Sequence, residues 1–257
     1  MRYSLVILVA VAMVRLSAAA GEPDSATAAL LRSGDERWKQ FDNEGALALY
    51  QQALKRDSTN AEVLWRVSRT YVDIGEHLPV STDEEEDKQL KIYETAAEYA
   101  NRAVKADSRS SMAYTRRAIA NGRIALFRGI WESVSLVKDT RADVDTALSL
   151  DPSNDVANYI MGRIHAKVSE KPGIVRWPLG LSWANPQEAI RCYERAIALY
   201  PDFIMYRLDC ARTYIEEDEF DKARGHLERI ENLEKRDEDD ERFKEEARGL
   251  LKQIKEE

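Results

Sequence analysis

Apolar residues in this chain return at three- and four-residue steps for most of its length, the spacing of one buried face on an amphipathic helix. Four segments share one design: Ala46 to Leu54 through Tyr50 and Ala53, Ala96 to Val104 through Tyr99 and Ala103, Asp143 to Leu148 through Ala147, and Ala189 to Ile197 through Tyr193 and Ala196. Five residues past the last alanine of each stands a turn residue, Ser58, Ser108, Pro152 or Pro201, and another helical pattern follows it. The marker alanines are 50, 44 and 49 residues apart. A unit of about 34 residues accounts for these spacings if extra segments lie near 76–88, 128–140 and 170–184. A fifth unit, from Pro201 through Ala223 to Ile230, closes without an insertion. The pattern predicts an all-α protein.

Small residues at fixed places let paired helices approach closely, and one pair cannot bury its apolar face alone, so pairs must stack. A helix pair repeating at this period resembles the tetratricopeptide repeat. The expectation is a right-handed α-solenoid of about five helix pairs over residues 21–239, with residues 240–257 as a charged capping helix. A generic bundle with coincidental alanines is the alternative, and the recurring turn register argues against it.

Residues 1–20 read differently. Arg2, the apolar stretch Leu5 to Val14 and the small residues Ser17 to Ala20 have the layout of an export signal cut before Gly21, although Arg15 interrupts it. An uncleaved membrane anchor is the other reading, and only then is membrane contact expected. Removal takes away two arginines and no acid, moving the net charge from −8 to −10. That balance speaks against nucleic acid as a partner. Much of the excess lies from Glu216 onward, with 17 acids against 10 bases, as on a solvated final helix after an acidic linker. The run Asp83 to Asp87 fits a helix start, where carboxylates face the positive end of the helix dipole.

Residues 63–230 resemble the regulator of microtubule dynamics family of tetratricopeptide-like proteins. The resemblance is carried by Leu64-Trp65-Arg66-Val67-Ser68-Arg69, by Asp87 to Glu94 leading into Ala100 to Ala103, by Asp151-Pro152 before Tyr159 to Gly162, and by the tryptophan-bearing insertion before Pro186 to Ala189. It implies a non-enzymatic helical-repeat protein, whose animal members associate with microtubules or organelle membranes. An exported chain would not meet a microtubule, so the family's cellular role does not carry over with the fold.

The first helices of stacked pairs commonly line a concave surface. Aligned by the repeat, Ser68-Arg69-Thr70-Tyr71, Gly162-Arg163-Ile164-His165 and Ala211-Arg212-Thr213-Tyr214 each place an arginine after a small residue. One turn earlier stand Trp65, Tyr159 and Leu208, and Arg123 and Lys167 extend the basic positions. Guanidinium groups bind carboxylates bidentately, so the row Trp65, Arg69, Arg123, Tyr159, Arg163, Lys167 and Arg212 suggests a groove for an acidic or carboxylate-terminated peptide or helix. The competing reading pairs these arginines with acids such as Asp73 or Asp209 on neighbouring helices. The third unit lacks the arginine, with Ile119 in its place. The segment Lys171 to Pro186 reads as a loop that folds back over the groove or contacts a partner through Trp177 and Trp183.

Chemistry of other kinds is weakly supported. His77, His165 and His226 are the only histidines, no two at metal-ligand spacing, and no cofactor is expected. His165 takes a core position. Cys192 and Cys210 read as buried thiols rather than a disulfide. A hidden hydrolase or carbohydrate activity is the remaining alternative, and no acid is singled out for it.

Overall fold

The computed structural model describes residues 24–129 and 131–255. The segment 1–20 lies outside them. Among the described residues there are twelve α-helices, one 3-10 turn and no strand, and no helix is long and apolar enough to cross a membrane. They form five antiparallel pairs: α1 (Ser25–Lys39) with α2 (Asn43–Arg56), α3 (Ala61–Glu76) with α4 (Asp83–Ala106), α5 (Ser111–Arg128) with α6 (Val134–Leu150), α7 (Asp155–Ser169) with α9 (Pro186–Leu199), and α10 (Ile204–Glu216) with α11 (Phe220–Ile230). A single turn, α8 (Gly173–Arg176), precedes α9, and α12 (Asp240–Gln253) closes the stack.

The turn between successive pairs is written in side chains. At Asp57, Asp107 and Asp151 the carboxylate accepts from the backbone N–H two residues on, while Asn60, Ser110 and Asn154 cap the next helix. Each cap satisfies amide groups that the first helical turn leaves unpaired. The acid run from Asp83 forms the first turn of α4, capped by Thr82, as the helix-dipole argument requires.

Within pairs, close approach follows from size. Ala46, Ala53, Ala96, Ala103, Ala189, Ala196 and Ala223 are completely buried. Opposite them, Gly34 on α1 lies against the ring of Tyr50, and Gly162 on α7 against that of Tyr193. A side chain at either glycine would occupy space the ring already fills, so the glycine serves packing here. Phe243, Ala247 and Ile254 seat α12 on the last pair, covering the apolar face that an end unit would expose.

First helices of successive pairs touch one another, α3 on α5, α5 on α7, α7 on α10 and α10 on α12, and so line the inner surface. The connection between α11 and α12 then reaches back across the trough. Glu238 accepts from Asn43 Nδ2 at 3.1 Å and lies 2.8 Å from His77 Nδ1, and Lys235 sits over the Phe41 ring. Burial works against a charge on His77, but the Asp73 carbonyl and the Glu238 and Asp239 carboxylates outweigh it and hold its pKa above 6.5. A raised histidine pKa adds stability below the unfolded value and loses it as pH rises through the folded one. The destabilisation caused by His77→Ala should therefore be larger at about pH 6 than at about pH 9. Equal effects in denaturant titrations at both values would count against this closure.

Candidate interaction groove

The residue after each small position occupies the same inward place on every first helix: Asp35, Arg69, Ile119, Arg163 and Arg212. The arginines in this row are already engaged. Arg69 Nη2 donates to Asp35 Oδ1 at 3.1 Å and to the Tyr50 hydroxyl at 2.9 Å, and its guanidinium lies 3.8 Å above the Trp38 ring centroid. Arg163 approaches Asp209 at 3.7 Å, while Arg212 pairs with Asp209 and, at 2.6 Å, with Glu246 on α12. Arg123 pairs with Glu76, and Lys167 with Glu170 on its own helix end.

Three expectations are corrected by this geometry. The arginine ladder is a set of ion pairs tying successive helices together, as the competing reading has it for Asp209, not a row of free cations. Arg69 finds its acid in Asp35, whereas Asp73 accepts from Trp38 Nε1 at 2.6 Å. The aromatic residues one turn earlier lie beneath the surface: Trp65 is 7% and Tyr159 5% exposed, and the Tyr159 hydroxyl donates to Asp209 at 2.7 Å.

The pairing reverses direction in the middle of the molecule. Arg123 on α5 reaches back to α3, and Arg163 on α7 reaches forward to α10. Among the described residues no ion pair joins α5 to α7. There the missing arginine is Ile119, and an apolar depression of about 620 Å³, counted to its open mouth, is lined by Ile119, Leu126, Ile160 and Ile164 and flanked by Arg123, Arg163 and Lys167. The gap in the sequence pattern thus coincides with an opening.

Beside it, around Trp65, buried donors lack acceptors. Trp65 Nε1, Arg69 Nε and Arg116 Nε are all buried without a hydrogen-bond partner. The guanidinium carbons of Arg69 and Arg116 lie 5.4 and 5.9 Å from the Trp65 ring centroid. Burial and the neighbouring Arg69 charge push the Arg116 pKa down to about 10. Orphaned buried donors are costly, at about 1–3 kcal/mol each, so this cluster favours any anion that supplies acceptors. Part of Arg116 remains exposed. Acids also face the trough. Burial raises the pKa of Asp73 and of Glu76, each opposed in part by nearby arginines. Arg116 carries no signal in the repeat register, which runs through the residue after each small position. It stands three residues before Ile119, where α3 carries Arg66 and α10 Asp209.

The insertion 170–184 is partly helical, with α8 running into a 3-10 turn, Trp177–Leu179, that ends at Gly180 with φ 69°. Leu181 and Ala184 are buried against α5, α6 and α7, and Trp183 meets the His165 ring edge-on, with Arg141 over its face. Arg176 binds the backbone carbonyls of Lys171 and Ala184, fixing the base of the loop. Trp183 is therefore not a free anchor, whereas Trp177 is 76% exposed. His165 is buried as expected, and burial lowers its pKa. Cys192 and Cys210 are free buried thiols in different apolar clusters.

The family model described as regulator of microtubule dynamics protein 1-3 matches residues 30–255. Regulator of microtubule dynamics protein 1 of Bos taurus is 26% identical over 229 residues, covering 87% of this chain and 70% of that protein. Its Mus musculus counterpart is 27% identical over 210 residues, covering 79% and 68%. Among solved structures, a thermophilic TPR protein of Thermus thermophilus superposes with a TM-score of 0.65 at 19% identity, over 86% of this chain and 98% of that one. The pilF protein of Pseudomonas aeruginosa gives 0.55 at 14% identity, over 90% of each chain. These structural likenesses concern the fold alone.

Proposed function

The chain belongs to the regulator of microtubule dynamics protein 1-3 family, and from that premise we propose that it is a non-catalytic protein-interaction module whose trough receives an acidic segment of a partner protein. One observation carries this reading: three buried N–H donors around Trp65 have no acceptor. A partner carboxylate reaching the exposed edge of Arg116 supplies acceptors, and the apolar depression between α5 and α7 takes an adjoining aliphatic or aromatic side chain. Arg123, Arg163, Lys167 and Arg212 shape the wall through their ion pairs, and Trp177 offers a second contact outside the trough. We place this module in an exported chain, on the strength of the signal-like layout of residues 1–20. In that setting the role named for the animal relatives does not transfer.

A panel of fluorescent peptides, acidic with an apolar anchor and charge-neutral controls, tests the groove by anisotropy. Arg116→Ala should weaken the acidic peptides by about 10- to 100-fold, the worth of a charge-assisted hydrogen bond. The neutral controls should not change. Equal binding of acidic peptides by wild type and variant would sink the reading.

A further inference from the structure

Three side chains from three helices converge where the fourth and fifth pairs meet: Glu194 on α9, Cys210 on α10 and His226 on α11. His226 Nε2 lies 3.1 Å from Glu194 Oε1 and 3.8 Å from Cys210 Sγ. The three ligand atoms all fall within 4.8 Å of one another. Both neighbours face the same ring nitrogen, and that detail separates two kinds of chemistry. In a thiol–imidazole–carboxylate relay the acid holds one nitrogen so that the other can take the nucleophile's proton. Here Nδ1 is buried without a partner, so no such relay is assembled. One Nε2 proton cannot serve a thiol and a carboxylate together, but one cation between them can serve all three.

Distances and donor types agree with that. Zinc holds sulfur at about 2.3 Å, imidazole nitrogen at about 2.0–2.1 Å and carboxylate oxygen at about 2.0–2.2 Å, which puts tetrahedral ligand atoms roughly 3.3–3.7 Å apart. The observed 3.1 and 3.8 Å separations from His226 need shifts of a few tenths of an ångström, and the Glu194–Cys210 separation, within 4.8 Å, closes by up to about 1 Å through rotation of the half-exposed Glu194 side chain. A thiolate with an imidazole suits zinc rather than the oxygen-seeking magnesium or calcium. Around the cluster, the Tyr214 hydroxyl donates to Glu194 Oε1 at 3.1 Å, and its ring stacks on His226 with centroids 5.6 Å apart. These contacts orient two of the three ligands. The Glu194 side chain is 44% exposed, which gives an ion a way in, while Cys210 closes the inner side.

We propose that Glu194, Cys210 and His226 form a zinc-binding site with three protein ligands and one position open to water. Binding deprotonates the Cys210 thiol, and that proton leaves to solvent. The ion ties α9, α10 and α11 together at the carboxyl-terminal end of the stack. This site is independent of the groove.

Cobalt(II) titration of the metal-free full chain tests it, because a bound thiolate gives a sulfur-to-cobalt charge-transfer band in the near ultraviolet. The expected result is a band saturating at one equivalent and abolished by zinc. Cys210→Ser should remove it, and Glu194→Gln should weaken binding by at least about 10-fold. Glu194 is on the surface, so its variant decides the matter if Cys210→Ser does not fold. No band, or a band unchanged in both variants, would overturn the proposal.

Discussion

Asp35→Ala should lower the unfolding free energy by about 3–5 kcal/mol in denaturant titrations near neutral pH, the cost of stranding a buried charge. Its carboxylate accepts from the Tyr50 hydroxyl at 2.6 Å, from Arg66 Nε at 3.1 Å and from Arg69 Nη2 at 3.1 Å. Without it, the Arg69 side chain, 8% exposed, has no other carboxylate within 4 Å among the described residues, and Asp73, one turn along the same helix, acts on it only at longer range. Burial tends to raise the Asp35 pKa, but the Tyr50 hydrogen bond and the two arginines outweigh it and hold the value below 3.8. A depressed carboxyl pKa stabilises above the unfolded value and ceases to do so as pH falls through the folded one. The gap between wild type and variant should therefore close below pH 3.8. A loss under about 1 kcal/mol at neutral pH, as for a surface pair, would show that the network contributes little.

Tyr193→Ala should cost a comparable amount, about 3–5 kcal/mol, because it empties a site enclosed by two pairs. Tyr193 is almost completely buried and lies beside Tyr159, with ring centroids 5.8 Å apart. Its ring occupies the space over Gly162, where an added Cβ would stand 2.6 Å from two ring carbons. Gly162→Ala alone should destabilise by about 1–3 kcal/mol, overriding the helical preference of alanine, about 1 kcal/mol. Combined with Tyr193→Ala, the same change should cost less than it does alone, since the ring is gone and only the 3.1 Å contact with the Ala189 carbonyl oxygen remains. Strict additivity of the two changes would refute this contact as the reason for the glycine.

The repeat was legible because its determinants are local: each buried alanine and each aspartate–asparagine or aspartate–serine turn acts within its own few residues. The row of inward arginines was legible too, as positions. Of their partners Asp209 was legible, as the acid of the competing reading that takes Arg163 and Arg212; Asp35, Glu76 and Glu246 were not, because each sits on a neighbouring helix and the sequence showed only one side of each pair. The same distance hid Glu194, Cys210 and His226, which belong to three helices and carry no short spacing signature. Trp183 misled for another reason. An apolar residue in a Pro- and Gly-rich segment looks free until the ring is seen against His165. Ile119 is the opposite case, since its departure from the pattern pointed to the stretch between α5 and α7, where no ion pair joins the two helices among the described residues.

An open array of repeats sheds its outermost units one at a time, because each leans on a single neighbour. Glu238 changes that by touching Asn43 and His77. The two extremities brace each other, so neither can fray without uncovering its opposite.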